Sequence, residues 1–297
     1  MTGRHGETRY YHVDGEIVPA REATVSVDDR GFRYGDAAFE TLRAYGGSIF
    51  EWEAHAERLD RTCRALTLDH GLSRAELNER IRDTLEANDL DDAYVRLSIT
   101  RGVQPGKLTP QESVDPTVVV YVAPLPKGGL DGTAVWDAPA TLETVATRRI
   151  PNESIPAAAK THNYLNGILA RLELETGDEA LLRDHRGYVA EGATSNVFFV
   201  AGNGLHTPSI DGSVLPGITR SVVLDLAEKA GVPTHERWYE PREVRDADEV
   251  FLTNTTWELR PVTAVDDSDF EVGPVSKLLA KLYDERIERQ CYDDENA

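Results

Sequence analysis

The chain has 297 residues, 40% of them hydrophobic, and a net charge of −20, enough for two domains of ordinary size with real cores. No apolar run is long enough to span a bilayer, the polar start Met1-Thr-Gly-Arg-His-Gly-Glu7 does not resemble a signal peptide, and 52 acidic against 32 basic residues argue against a nucleic-acid-binding face. The acidic residues are spread over every segment and arginine largely replaces lysine, 26 to six, which reads as adaptation to a salty cytoplasm where screening relieves like-charge repulsion, an ordinary acidic cytosolic protein being the alternative.

In chain order, Tyr10–Val18 reads as hairpin strands, and Phe50–Leu68 and Leu72–Asn88 as helices. Ser73-Arg-Ala-Glu76 is a capping box, followed by Leu77, Ile81 and Leu85 on one face. Ala93–Thr100 and Thr117–Ala123 read as strands. In the first of these Val95, Leu97 and Ile99 alternate with Tyr94, Arg96 and Ser98, so Tyr94 and Arg96 share the face opposite the aliphatic one. Pro124-Leu-Pro-Lys-Gly-Gly-Leu-Asp-Gly132 separates two halves. Beyond it, Asn196–Ala201 and Glu249–Thr253 read as buried strands, Ile218–Ala230 as a helix closed by Gly231, and Pro274 as the start of the last helix. Strands and helices alternate irregularly, so the expected class is α+β, or mixed α/β, with two domains. Two cysteines, Cys63 and Cys291, make neither a disulfide framework nor a metal cluster, and no metal site, Walker motif or dinucleotide fingerprint is expected.

Lys160 lies in Ile155-Pro-Ala-Ala-Ala-Lys160-Thr-His-Asn-Tyr164-Leu-Asn-Gly167, with no opposite charge within four residues. Desolvation favours a neutral amine, and a neutral amine is a nucleophile able to form a Schiff base. Taken alone, such a lysine more often packs its stem and reaches water with its ammonium. Three later pieces change the balance. Glu191 stands in a small-residue turn ahead of an apolar strand. Leu215-Pro-Gly-Ile-Thr219-Arg220 leads into a helix whose first N–H groups, those of Ile218 and Thr219, form a seat for phosphate. Thr253-Asn-Thr-Thr256 ends a strand with hydroxyls and N–H groups. A Schiff-base lysine, a carboxylate for a ring nitrogen and a phosphate seat are the parts that pyridoxal phosphate requires.

In this order these motifs resemble the class IV (fold type IV) pyridoxal-phosphate enzymes: branched-chain aminotransferases, D-amino-acid aminotransferases and aminodeoxychorismate lyases. The resemblance runs nearly end to end, through Tyr34-Gly-Asp-Ala-Ala-Phe39-Glu-Thr-Leu-Arg43, His55-Ala-Glu-Arg58-Leu, Lys160 with Asn163-Tyr164, Glu191-Gly with Ser195-Asn196, and Leu215-Pro-Gly-Ile-Thr-Arg220. It implies a small N-terminal α/β domain over 1–123, a linker over 124–133 and a larger cofactor-binding domain over 134–297. It also implies a homodimer, an active site between the domains and a loop lent by the other subunit. Lys160 would form the Schiff base and shuttle the proton. Tyr164 would bond the cofactor's phenolate oxygen, Glu191 would pair with its ring nitrogen, and Arg58, Ile218, Thr219 and Thr255 would hold its phosphate.

For the substrate, Tyr94-Val-Arg96 resembles the Tyr-x-Arg that helps hold carboxylates in branched-chain aminotransferases. Tyr34 and Phe39 would line the side-chain pocket, and the backbone N–H groups of Thr255 and Thr256 would take a carboxylate. The expected reaction is transfer from a branched-chain L-amino acid to 2-oxoglutarate. Aminodeoxychorismate lyase is an alternative, because Asn163-Tyr164 follows the lysine one residue early and Asp29-Arg-Gly-Phe-Arg-Tyr34-Gly-Asp36 is closer to the lyases and D-enzymes. A D-amino-acid aminotransferase is a second alternative. Against it, Gly106 and Leu108 stand where those enzymes carry a carboxylate-binding Arg and His, although Lys107 could partly substitute. His162, beside the lysine, matches no family role.

Overall fold

The computed structural model describes residues 9–127, 136–202 and 204–292. Residues 1–8 and most of the expected linker, at 128–133, lie outside the described residues, as do residues 134–135, 203 and 293–297 of the expected second domain. The chain divides into two compact units, Met1–Gly132 with Lys160–His162, and Thr133–Ala159 with Asn163–Ala297. The three residues that begin with Lys160 therefore pack with the first unit although their chain neighbours on both sides belong to the second.

The first unit runs β1 (Tyr10–Val13), β2 (Glu16–Pro19), α1 (Arg30–Tyr34), β3 (Ala37–Tyr45), β4 (Ser48–Ile49), α2 (Trp52–Ala65), α3 (Arg74–Glu86), β5 (Ala93–Thr100) and β6 (Val118–Pro124). Its strands form one antiparallel sheet in the order β2-β1-β6-β5-β3-β4. Alternation sends Val95, Leu97, Ile99, Val118, Val120 and Val122 to one face, where they meet Leu59 and Cys63 of α2 and Leu77, Ile81 and Leu85 of α3. The opposite face carries Tyr94, Arg96 and Ser98. The capping box of α3 forms, Ser73 Oγ accepting from the Glu76 N–H while Glu76 accepts from the Ser73 N–H. The helix expected over Phe50–Leu68 stops at Ala65 because Thr67 turns left-handed (φ 50°). The carbonyls of Leu66 and Thr67 are taken by the Arg101 guanidinium at 2.6 and 2.8 Å. A residue thirty-odd positions away thus ends the helix, which no local pattern announces.

The second unit runs β7 (Ala140–Arg148), α4 (Leu165–Leu172), β8 (Glu179–Arg183), β9 (Val189–Gly192), β10 (Asn196–Ala201), β11 (Gly204–Pro208), α5 (Ile218–Lys229), β12 (Thr234–Arg237), α6 (Pro241–Arg245), β13 (Glu249–Asn254), β14 (Glu258–Val265), β15 (Ser268–Asp269) and α7 (Pro274–Ile287). Its mixed sheet has the order β12-β11-β10-β13-β14-β7-β8-β9, with β15 on β14. The β11–β12, β14–β7 and β7–β8 pairs are parallel. The sheet curls, for β9 at one end of this order also lies against β10 and β11. The strands β10 and β13, expected from their apolar runs, are neighbours in its interior, where Phe198 and Phe251 stack at 5.1 Å. No helix among the described residues is long and apolar enough to cross a membrane.

Ile81 is fully buried between α3 and the sheet. Replacing it with alanine removes three heavy atoms from a closed core and is expected to cost about 2–5 kcal/mol, read as a lower urea midpoint with an unchanged slope.

Candidate active site

In the first unit the site starts from the edge of β3. The segment Lys160–His162 adds to that edge like a short strand: the Phe39 N–H donates to the Lys160 carbonyl (3.1 Å), Ala38 and Thr161 bridge, and the His162 N–H donates to the Ala37 carbonyl (3.1 Å). The Lys160 N–H donates to Thr62 Oγ1 (3.0 Å), whose hydroxyl donates to the Arg58 carbonyl (3.0 Å). Lys160 and Arg58 are therefore tied to the same stretch of α2. The Lys160 ammonium stands 4.1 Å from the centroid of the Phe39 ring, and the Arg96 guanidinium carbon stands 3.8 Å from that same centroid. Two cations and one aromatic ring make a single cluster. His162 packs edge-on to the ring (5.5 Å), with Nε2 3.2 Å from Ser98 Oγ, directly opposite Phe39 in register. Burial first, and the Arg96 charge second, lower the His162 pKa to about 4, so the imidazole is neutral at neutral pH. Of the remaining expected residues here, Tyr94 packs against Tyr121, and Tyr34 lies beneath Arg30 and Arg33 at 5.0 and 5.2 Å.

Arg58 is held by a group the sequence reading left out. Glu40, 1% exposed, accepts from Arg58 Nε (2.8 Å) and Nη2 (2.6 Å) and from His55 Nδ1 (2.8 Å). Burial pushes the Glu40 carboxyl up, but the Arg58 charge and the hydrogen bonds from Arg58 and His55 outweigh it and hold the pKa at about 2. For His55, burial outweighs the neighbouring carboxylate and lowers its pKa; a neutral imidazole against an ionised carboxylate is the donor. A carboxylate in the middle of a buried strand was the available signal, since such a charge requires a cationic partner.

In the second unit Glu191, on β9, is fixed on three sides. It accepts from the Leu215 N–H (3.0 Å) and Asn196 Nδ2 (3.2 Å), and Arg149 Nε lies 2.9 Å away. Arg149, which follows β7, was not foreseen, and nothing in its local sequence marks it. Asn196 also donates to the Leu215 carbonyl (3.0 Å), which ties Glu191 to the turn before α5. Glycine keeps that turn open: a Cβ on Gly217 would stand 2.0 Å from Asn196 Oδ1 and push the amide off Glu191 and the Leu215 carbonyl. Gly217 is the N-cap of α5 and offers no side-chain acceptor, so no cap covers the first N–H groups of the helix that starts at Ile218 and Thr219. The Thr253 hydroxyl, on β13, is buried without a hydrogen-bond partner. A carboxylate, an uncapped helix start and an orphaned hydroxyl suit a group with a basic ring nitrogen and a phosphate. Tyr164 is the N-cap of α4. The Thr255–Thr256 turn is organised by Asn254, whose Oδ1 accepts from the Thr256 N–H (3.0 Å) and the Trp257 N–H (2.6 Å). The Thr256 N–H expected for a carboxylate is therefore engaged by Asn254.

Substituting Glu40→Gln strands the Arg58 charge in the core and is expected to cost about 3–5 kcal/mol. The sign of the pH dependence follows from the depressed pKa. The contribution of Glu40 is complete above its ordinary value of 4.5 and falls away as the pH drops toward about 2. Denaturant melts at pH 7 and pH 3 check it, because the gap between wild type and Glu40→Gln should narrow at the lower pH.

The pattern of the family described as "Amino-transferase class IV" matches residues 37–265. A putative branched-chain-amino-acid aminotransferase of Methanocaldococcus jannaschii is 36% identical over 278 residues, 92% of this chain and 94% of that protein. An aminodeoxychorismate lyase of Bacillus subtilis is 31% identical over 295 residues, 95% of this chain and 96% of that protein. The crystal structure of a branched-chain aminotransferase from Thermoproteus uzoniensis, with norvaline, superposes with a TM-score of 0.89 at 28% identity over 97% of both chains.

Proposed function

The chain belongs to the class IV aminotransferases, fold type IV enzymes with pyridoxal phosphate as cofactor, and on that footing we propose that it moves the amino group of a branched-chain L-amino acid to 2-oxoglutarate. The observation behind the substrate choice is the Phe39 ring, with the Lys160 amine at 4.1 Å and the Arg96 guanidinium at 3.8 Å. In a two-stage cycle the same pocket receives an aliphatic side chain and then a dicarboxylate. An apolar ring suits the first, and a guanidinium beside it suits the second carboxylate of the other.

When bound, the cofactor supplies an aldehyde and an electron-accepting ring. Lys160 is proposed as the nucleophile for that aldehyde and then as the group that takes and returns the proton at the substrate Cα. Glu191, fixed by Leu215, Asn196 and Arg149, is proposed to keep the ring nitrogen protonated. Arg58, Ile218, Thr219 and Thr255 are proposed for the phosphate, and Tyr164 for the phenolate oxygen. Tyr34, Phe39, Tyr94, Arg96 and Thr255–Thr256 are proposed for the substrate. The resemblance to the Bacillus subtilis lyase supports a second reading, in which the same lysine serves release of pyruvate from aminodeoxychorismate with no keto-acid acceptor.

L-Leucine added without keto acid should convert the absorbance of the cofactor to that of the amine form, and Lys160→Ala should be unable to do this. A band unchanged by L-leucine, with pyruvate released from aminodeoxychorismate, would install the lyase instead.

We further propose a homodimer in a salty cytoplasm. The helix α4 buries only Ala170 against its own unit, while Leu165 (65% exposed), Ile168, Leu169 and Leu172 (75%) share its outer face. In a chain of net charge −20 such a stripe suits a second copy better than water. Leu169→Glu with Leu172→Glu is expected to halve the mass seen by sedimentation; a variant that keeps the wild-type mass removes α4 from the interface.

A further inference from the structure

The second unit carries a cleft of about 470 Å³ with no place in this mechanism, lined by Arg183, Arg186, Tyr188, Glu240, Arg242 and Arg245 among others. It lies where the turn between β8 and β9 faces α6. In the whole chain acids outnumber bases 52 to 32, yet four arginines and one carboxylate line this cleft.

The arginines are held in place and only partly used. Arg186 Nε donates to Asp184 Oδ2 (3.0 Å), Arg245 Nη1 donates to Asp266 Oδ2 (3.2 Å), and Arg242 Nε stands 3.0 Å from Glu240 Oε2. Each contact occupies one nitrogen of a fork with five donors. Arg186 is also stacked between Tyr188 and Trp238, at 5.3 and 5.2 Å. The lining carboxylate, Glu240, is engaged by Arg242 and by the N–H of Glu243 in the capping box of α6. Arg183 differs from the other three. Its Nη2 donates to the Val145 carbonyl (2.8 Å), its Nε is buried without a partner, and no carboxylate among the described residues forms a salt bridge with it. Burial and the neighbouring charges of Arg148 and Arg245 lower its pKa, against Asp266 and Glu173. Its charge is thus offset only at a distance, with no carboxylate in direct contact among the described residues.

We propose that this cleft binds a phosphorylated small molecule, its oxygens taken by the unused N–H groups of Arg183, Arg242 and Arg245. Guanidinium forks match tetrahedral oxyanions in geometry and charge. A ligand with two or more negative charges supplies the contact ion pair that Arg183 lacks, and the volume exceeds what one phosphate group fills. Occupation would brace the β8–β9 turn against α6, so binding appears as stabilisation of the fold.

The test is thermal unfolding of the cofactor-loaded enzyme with pyrophosphate, ADP or citrate, at constant ionic strength set with KCl. Loading fills the phosphate seat at α5 beforehand. Pyrophosphate or ADP in large excess should raise the Tm by on the order of 5 °C; a larger shift with ADP identifies a nucleotide, and an equal one a simple phosphoanhydride. Arg183→Gln should abolish the shift, and so should Arg242→Gln with Arg245→Gln, a pair nearer the surface that guards against a folding defect. No shift in wild type, an equal shift in the variants, or citrate acting as strongly as pyrophosphate each overturns the proposal.

Discussion

The buried carboxylate of Glu40 is the constraint on which the first unit's part of the site rests. It sits on the helix-facing side of β3 and fixes Arg58 through two nitrogens, and Arg58 belongs to the stretch of α2 whose Thr62 holds the backbone of Lys160. One residue earlier on the same strand, Phe39 points to the other face and carries the Lys160 ammonium against its ring. A strand's alternation thus assigns two jobs to adjacent residues. Glu40 secures a cation on one side of the sheet, and Phe39 presents an apolar wall on the other. Because the pair is buried and hydrogen-bonded, the arrangement is set before any ligand arrives, which is the condition for an active site that reorganises little.

The second unit solves a similar problem with backbone. Glu191, Asn196 and the Leu215–Gly217 turn form one hydrogen-bonded unit, and the missing side chain at Gly217 lets Asn196 approach the start of α5. The carboxylate and the uncapped helix start are consequently held in one relation to each other. Moving either would break bonds to the other.

Arginine abundance has a structural use beyond charge balance. Arg101 takes the Leu66 and Thr67 carbonyls, Arg30 those of Lys107 and Leu108, Arg43 that of Pro126, Arg220 that of Pro208 and Arg260 that of Ala138. Several also hold a carboxylate, as Arg30 and Arg101 do with Asp36. A planar fork can serve a carbonyl and a carboxylate together, and a lysine ammonium has no such fixed geometry. Arginine therefore pins loops in a chain whose surface charge pushes segments apart.

The sequence by itself determined the elements with strong local periodicity and the residues with distinctive chemistry. The strand Ala93–Thr100, the capped helix at Ser73, the shared face of Tyr94 and Arg96, the helix start at Ile218 and the prominence of Lys160 all follow from alternation, helical spacing and side-chain type, which are local. Only the tertiary structure decided which unit Lys160 packs with, what ends α2, that Glu40 and His55 hold Arg58, that Arg149 stands at Glu191, and that Asn254 engages the Thr256 N–H. Each of these depends on groups brought together by sheet order and loop course. Buried polar groups must find partners, but their chemistry fixes only the kind of partner, and the fold selects which residue it is.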